Sequence, residues 1–322
     1  MENALAGLVL NFLTLIADGC VCLISILIFI YIIIHVIFNR TKPEDKVTLI
    51  LCANILILIF LYGAIVVSFS INSILGEFYG LNSDSSWCIF NGYLIAVIIS
   101  AVYNVFISQA TFRLCRIVYA AHKWLQLYGL YMMIGPIQLI IGFALQSPVL
   151  FWRDVKYIST ENYCFVPYLQ LHGTIWIISL SYGVPLLALL SIYIRITIFL
   201  YRRSTVQTLI VQRRQQRDLL VFKRIGITVS MLIIFGLPNL IFLLLTSMTG
   251  VEYALTYRIQ WLIGSLSMLG LSITNVAGTP QLKSIVLNRW QRNRVGILTT
   301  TTSPQRVVAT EQQTIQRLQP RY

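Results

Sequence analysis

Seven long apolar stretches decide what this chain can fold into. They cover about residues 15–38, 47–75, 88–112, 128–151, 171–200, 220–247 and 257–279. Crossing the hydrocarbon core of a bilayer takes about 20 mostly apolar residues. Each stretch is long enough. Backbone inside lipid must satisfy its own hydrogen bonds, so each is expected to be a helix. The alternating pattern of a membrane β-barrel is absent. Composition agrees: 57% of the 322 residues are hydrophobic and only 11% are charged, where a soluble domain carries about a quarter. The expected fold class is therefore an all-α membrane protein, a seven-transmembrane helix bundle. The first 38 residues lack a basic start and a small-residue cleavage site, so they are read as a retained span rather than a signal peptide.

The basic residues give the expected orientation. Of the 24 Lys and Arg, all but Arg153, Lys156 and Arg258 fall on one side of the seven spans. By the positive-inside rule that side is cytoplasmic. Residues 1–14 are then an extracellular N-terminus and 15–280 the bundle. A short amphipathic helix is expected over 281–292, with a disordered cytoplasmic tail over 293–322. In the amphipathic segment Thr279 can cap, Pro280 suits the first turn, and Leu282, Ile285, Val286 and Trp290 form an apolar stripe. The net charge of +13 is a topology signal. It is spread over four loops without a recognition motif, so no nucleic-acid partner is expected. The sequon Asn39-Arg-Thr41 falls on the cytoplasmic side and should stay unmodified.

Four cysteines, Cys20, Cys22, Cys52 and Cys115, lie in or at the end of apolar spans and read as small buried hydrophobes. Cys88, at the start of the third span, and Cys164, in the loop between the fourth and fifth, fall on the oxidising face, where disulfides persist. A bridge between them would tie that loop across the mouth of the bundle. Cys88 stands 25 residues before Arg113, about 37 Å along a helix, close to a full crossing with its interfaces.

On these intervals the chain resembles the rhodopsin-like family of G-protein-coupled receptors, over about residues 15–292. In that family a cysteine opens helix three, pairs with the second extracellular loop, and precedes by 25 residues an arginine in an Asp-Arg-Tyr-like motif. Here the motif reads Phe112-Arg113-Leu114. Helix five matches the family's proline and tyrosine, eight residues apart, with Pro185 and Tyr193. Helix six matches its kink proline with Pro238, and twenty residues earlier Asp218 stands where the family often keeps an acid. The resemblance implies an activation switch: Arg113 paired with Asp218 at rest, then approaching Tyr193 when active. The plainer readings are a snorkelling helix end for Arg113 and a solvated charge for Asp218. Arg116 reads as snorkelling or a lipid-phosphate contact.

The departures are specific. Ile59 replaces the helix-two aspartate that binds sodium in the family, and the helix-one asparagine is missing. Gln138 replaces the helix-four tryptophan, Gly236 the helix-six tryptophan, and "LSITN" at 271–275 the helix-seven Asn-Pro-x-x-Tyr. The chain looks like the divergent orphan receptors. Helix seven offers no lysine for a retinal Schiff base. Ile95 stands where amine receptors carry an aspartate, which argues against a biogenic amine. Asn91, Tyr93, Ile95, Trp176, Tyr182 and Asn239 are the pocket candidates. Asn239, polar within a span, needs a partner, and an interhelical hydrogen bond is its plainer reading.

The resemblance implies a receptor that binds an extracellular peptide or small molecule and activates a heterotrimeric G protein at the plasma membrane. The tail's Thr299, Thr300, Thr301, Thr302 and Ser303 are candidates for phosphorylation, each phosphate adding about −1.5 to −2 charge and recruiting an arrestin-like partner. The rival class is a transporter or channel. That would want charged residues near the bilayer midplane or repeats with broken helices, and the middles of the spans show almost none. Three histidines (His35, His122, His172) on different segments, without a metal or nucleophile constellation, argue against an enzyme. No cofactor and no metal are expected.

Overall fold

The computed structural model describes residues 2–38, 43–81, 83–119, 128–204, 209–253 and 255–277, without side chains for 2–4, 43–45, 200, 203–204 and 209–225. Among them, seven helices are long and apolar enough to cross a membrane. They are α1 (Glu2–Phe38), α2 (Pro43–Tyr79), α3 (Ser86–Ile117), α4 (Tyr128–Phe151), α5, α6 (Leu209–Thr249) and α7 (Thr256–Ala277). Helix α5 has three parts: Leu171–Ile177, a π-helical turn over Ile178–Gly183, and Val184–Ser204. Pro185 is the second residue after that turn. Proline lacks an N–H and crowds the preceding turn, and a π-bulge is one way for a helix to absorb the misfit.

Helix α1 starts earlier than expected. Residues 2–14 are helical and continuous with the first span. Their polar side chains explain why. Asn11 donates to the Ser73 hydroxyl at 2.9 Å and Thr14 to the Leu10 carbonyl at 2.9 Å. With these groups satisfied, the apolar residues around them continue the helix along α2. The stretch before α5 differs too. A two-stranded antiparallel hairpin, β1 (Lys156–Ile158) and β2 (Tyr163–Phe165), replaces the expected loop. Residues 278–322 lie outside the described set, and with them the 281–292 helix and Thr299–Ser303.

Helix α3 is the axis of the bundle. It packs against α2, α4, α5 and the hairpin, while α1 packs against α2 and α7. Ser85 caps its start, its hydroxyl accepting from the Cys88 amide at 3.2 Å. The core includes Tyr62, Ile95, Tyr103, Phe106 and Met268. Outward faces stay apolar: Leu23, Leu27, Ile140 and Leu187 are all exposed. Isolated exposed apolar residues are ordinary, but whole apolar helix faces suit a lipid environment. Gln138 serves the interior instead, donating to the Asn104 carbonyl at 2.8 Å and to the Ser108 hydroxyl, so it ties α4 to α3.

Candidate functional site

Cys88 and Cys164 are joined by a disulfide. It fastens β2 to the start of α3. A Cβ on Gly92, one turn along α3, would fall 2.4 Å from the Cys164 carbonyl oxygen, so the hairpin backbone rests on the helix surface and only glycine permits that approach. The hairpin is held again from α7. Arg258 is 7% exposed. Its Nε reaches Glu161 of the hairpin turn at 2.8 Å, and one terminal nitrogen reaches Glu77 at the end of α2 at 2.6 Å. Burial pushes the Glu161 carboxyl above the ordinary glutamate range, and Arg258 pulls it back in part. Three elements distant in sequence meet at this one guanidinium. In the sequence Arg258 stands at the start of the seventh span, and nothing local marks Glu77 or Glu161 as its partners.

Beneath the hairpin is a cavity of about 40 Å³. Its wall is aromatic: Tyr62 from α2, Tyr103 from α3, Phe165 from β2, Tyr182 from α5, Phe235 from α6 and Trp261 from α7. The rings brace one another. Tyr62 meets Phe235 edge-on at 5.8 Å, and Phe165 meets Trp261 edge-on at 5.3 Å. Such contacts contribute about 0.5–1.5 kcal/mol each beyond burial. The polar lining is Ser181, Asn239 and Gln260. Tyr168 bonds Asn239 at 3.1 Å and Gln260 at 2.6 Å, and Gln146 donates to Ser181 at 2.7 Å. At about 10–15 Å³ per water, the space holds a few waters or one small group of a larger molecule.

Of the pocket candidates, Tyr182 and Asn239 line this cavity. Asn239 has the partner its position demands, Tyr168, and also donates to the Phe235 carbonyl at 3.4 Å. The other four lie outside the cavity lining. Tyr93 donates to the Phe143 carbonyl of α4 at 2.7 Å, and Trp176 donates to the Leu145 carbonyl of α4 at 3.0 Å. Ile95 is fully buried in the core, and Asn91 is half-buried near the start of α3. Most of the cavity wall was not anticipated, because its aromatic residues come from six separate elements at no fixed interval.

Gly236 explains how the bundle does without the tryptophan expected there by resemblance. A Cβ on Gly236 would fall 2.0 Å from the Tyr182 ring. The tyrosine of α5 fills the space in front of α6. Gly236→Ala is therefore expected to displace Tyr182 and lower thermal stability by an overpacking cost of about 1–3 kcal/mol. Combining it with Tyr182→Ala should relieve part of that loss in a double-mutant cycle. Strictly additive losses would show that the two residues do not compete for the space.

At the opposite end of α3, Arg113 is half-buried, and Tyr193 of α5 is its neighbour. Phe112, in the place of the family's acid, packs edge-on against Tyr131 of α4 with ring centres 4.9 Å apart. It closes a cluster with Val47 and Leu51 of α2. Pro238 sits inside an uninterrupted α6. Asp218 lies on the same helix, and its side chain is outside the described residues. Near this end Gln109 donates to Asn275 at 3.3 Å, and Asn275 to the Cys52 carbonyl at 3.4 Å, so the "LSITN" segment links α7 with α3 and α2.

The span interiors are not free of ionisable groups. Asp18 of α1 is fully buried, with Ser265 of α7 at 2.7 Å. Its only signal in the sequence is a single acid in an apolar run. Among the described residues no group of His, Cys, Asp or Glu could hold a metal ion. No protein-family model matches the chain, and no curated protein is significantly similar to it.

Proposed function

We propose that this chain is a G-protein-coupled receptor of the plasma membrane, with the hairpin end of the bundle outside the cell and the Arg113 end inside. The observation that carries the reading is the placement of two features at opposite ends of α3. At one end a disulfide-fastened hairpin covers an aromatic cavity between helices. At the other stands Arg113, with Tyr193 of α5 as its neighbour. Ligand binding at the first is linked to a partner at the second through shared helices: Tyr103 and Tyr182 of the wall belong to the same α3 and α5 that carry Arg113 and Tyr193. The ligand is an extracellular peptide or small molecule that inserts an apolar or aromatic group. The partner is a heterotrimeric G protein, with an arrestin-like protein on the phosphorylated tail.

Asp18 is the observation that favours the second reading, a transporter or channel, since a buried carboxylate is what an ion pathway uses. Among the described residues its single side-chain hydrogen-bond partner is the neutral Ser265, so the receptor reading stands first. The test is nucleotide exchange on a panel of purified G proteins, with the protein reconstituted in lipid and challenged with a ligand library. Ligand-dependent exchange on one G protein is expected. Ion conductance or solute flux without exchange on any of them would replace the receptor with the second reading.

A further inference from the structure

The seam of α1 and α7 holds a buried acid whose hydrogen bonding is independent of the receptor reading. The Ser265 oxygen lies 2.7 Å from Asp18 Oδ2 and 2.7 Å from the Trp261 carbonyl oxygen. A serine hydroxyl has one hydrogen. A carboxylate and a carbonyl are both acceptors, so an ionised Asp18 leaves one of these close contacts without a hydrogen. If Asp18 carries a proton, both are satisfied: the acid donates to Ser265, and Ser265 donates to Trp261. The surroundings favour the same state. Asp18, Tyr62 and Ser265 are all fully buried, and among the described residues neither Asp18 Oδ1 nor the Tyr62 hydroxyl has a hydrogen-bond partner. An ionised carboxylate there would be an unpaired buried charge, which is far costlier than a neutral acid.

The charged and titratable neighbours can be named. Tyr62 of α2 and Cys22 of α1 face Asp18 electrostatically. From α7 the facing group is Ser265, and the charged Arg258 of that helix is held by Glu77 and Glu161. No described cation neutralises Asp18.

We propose that Asp18 is a proton-binding site, occupied in this conformation, which latches α1 to α7 behind the cavity wall. Tyr62 and Trp261 connect it to the cavity, since both rings line that space. Loss of the proton would draw the Ser265 hydrogen to the carboxylate and release the Trp261 carbonyl. Proton occupancy and the shape of the cavity are thereby coupled.

Infrared difference spectra of the purified full-length protein at neutral pH, wild type minus Asp18→Asn, test this. The carbonyl stretch of a protonated carboxylic acid is expected, and Ser265→Ala should move it, because the acid loses its acceptor. Asp18→Asn, which keeps a donor toward Ser265, should retain the thermal stability of wild type, and Asp18→Ala should lose stability. Carboxylate bands in place of the acid band overturn the proposal. So does stabilisation by sodium over choline that vanishes in Asp18→Asn, which would make this a metal-cation site. Should Asp18→Asn fail to fold, the wild-type minus Ser265→Ala spectrum decides: a shifted acid band supports the site, and its absence overturns it.

Discussion

Replacing Arg258 with alanine should cost the hairpin end of the bundle about 3–5 kcal/mol, the scale seen when one partner of a buried ion pair is removed. The cost does not measure the attraction of the pair. It arises because Glu161, with a side chain 6% exposed, is left in the interior without its counter-charge. Glu77 is affected less, since its side chain keeps 26% of its exposure and reaches water. A matched set therefore separates the contributions: Arg258→Ala should be the most damaging, Glu161→Gln intermediate and Glu77→Gln mild. Arg258→Ala with Glu161→Leu should recover part of the loss, because a buried ion pair replaced by apolar groups is often near neutral. Thermal unfolding of the detergent-solubilised variants reads this order. Equal small losses for all three single variants would place Arg258 at an ordinary surface.

Arg113→Ala should abolish or greatly reduce G-protein coupling while leaving surface expression intact. Tyr193 is a neighbour of Arg113, and the switch hypothesis has the two approach one another in the active state. Asp218 is the carboxylate proposed to hold it at rest, because Phe112 fills the adjacent acid's place with a core contact. A partly exposed ion pair contributes only about 0–1 kcal/mol. That is enough to shift a two-state population several-fold. Asp218→Asn should accordingly raise ligand-independent signalling, and Arg116→Ala should do little.

The seven helices were legible because a bilayer imposes one requirement on every span, and hydropathy reports it directly. Span ends agreed to within a few residues where charge or a turn stops the helix, as at Phe151 and Leu171. They failed at α6, which begins at Leu209 rather than 220, and at α1, where Asn11 and Thr14 look like solvent-facing polar residues until Ser73 and the Leu10 carbonyl satisfy them. The hairpin was missed because its strands are three residues each, too short for a period to show. Of the candidate site, the positions fixed by intervals along one helix were readable: Cys88 and Arg113 on α3, Pro185 and Tyr193 on α5. The rest is long-range. Arg258 meets Glu77 across 181 positions, and Ser265 meets Asp18 across 247. No local pattern encodes such a meeting. Gly236 was read as a lost tryptophan, whereas the place is taken by Tyr182 from another helix.

The central claim is that the Arg113 end of this bundle engages a G protein. Its most direct measurement is complex formation with purified heterotrimers after enzymatic removal of nucleotide, using wild type, Asp218→Asn and Arg113→Ala reconstituted at equal density. Wild type should capture at least one heterotrimer and release it on addition of GTP. Asp218→Asn should capture more, and Arg113→Ala should capture almost none. Capture by Arg113→Ala at the wild-type level, or by none of the three proteins with any heterotrimer, would contradict the account.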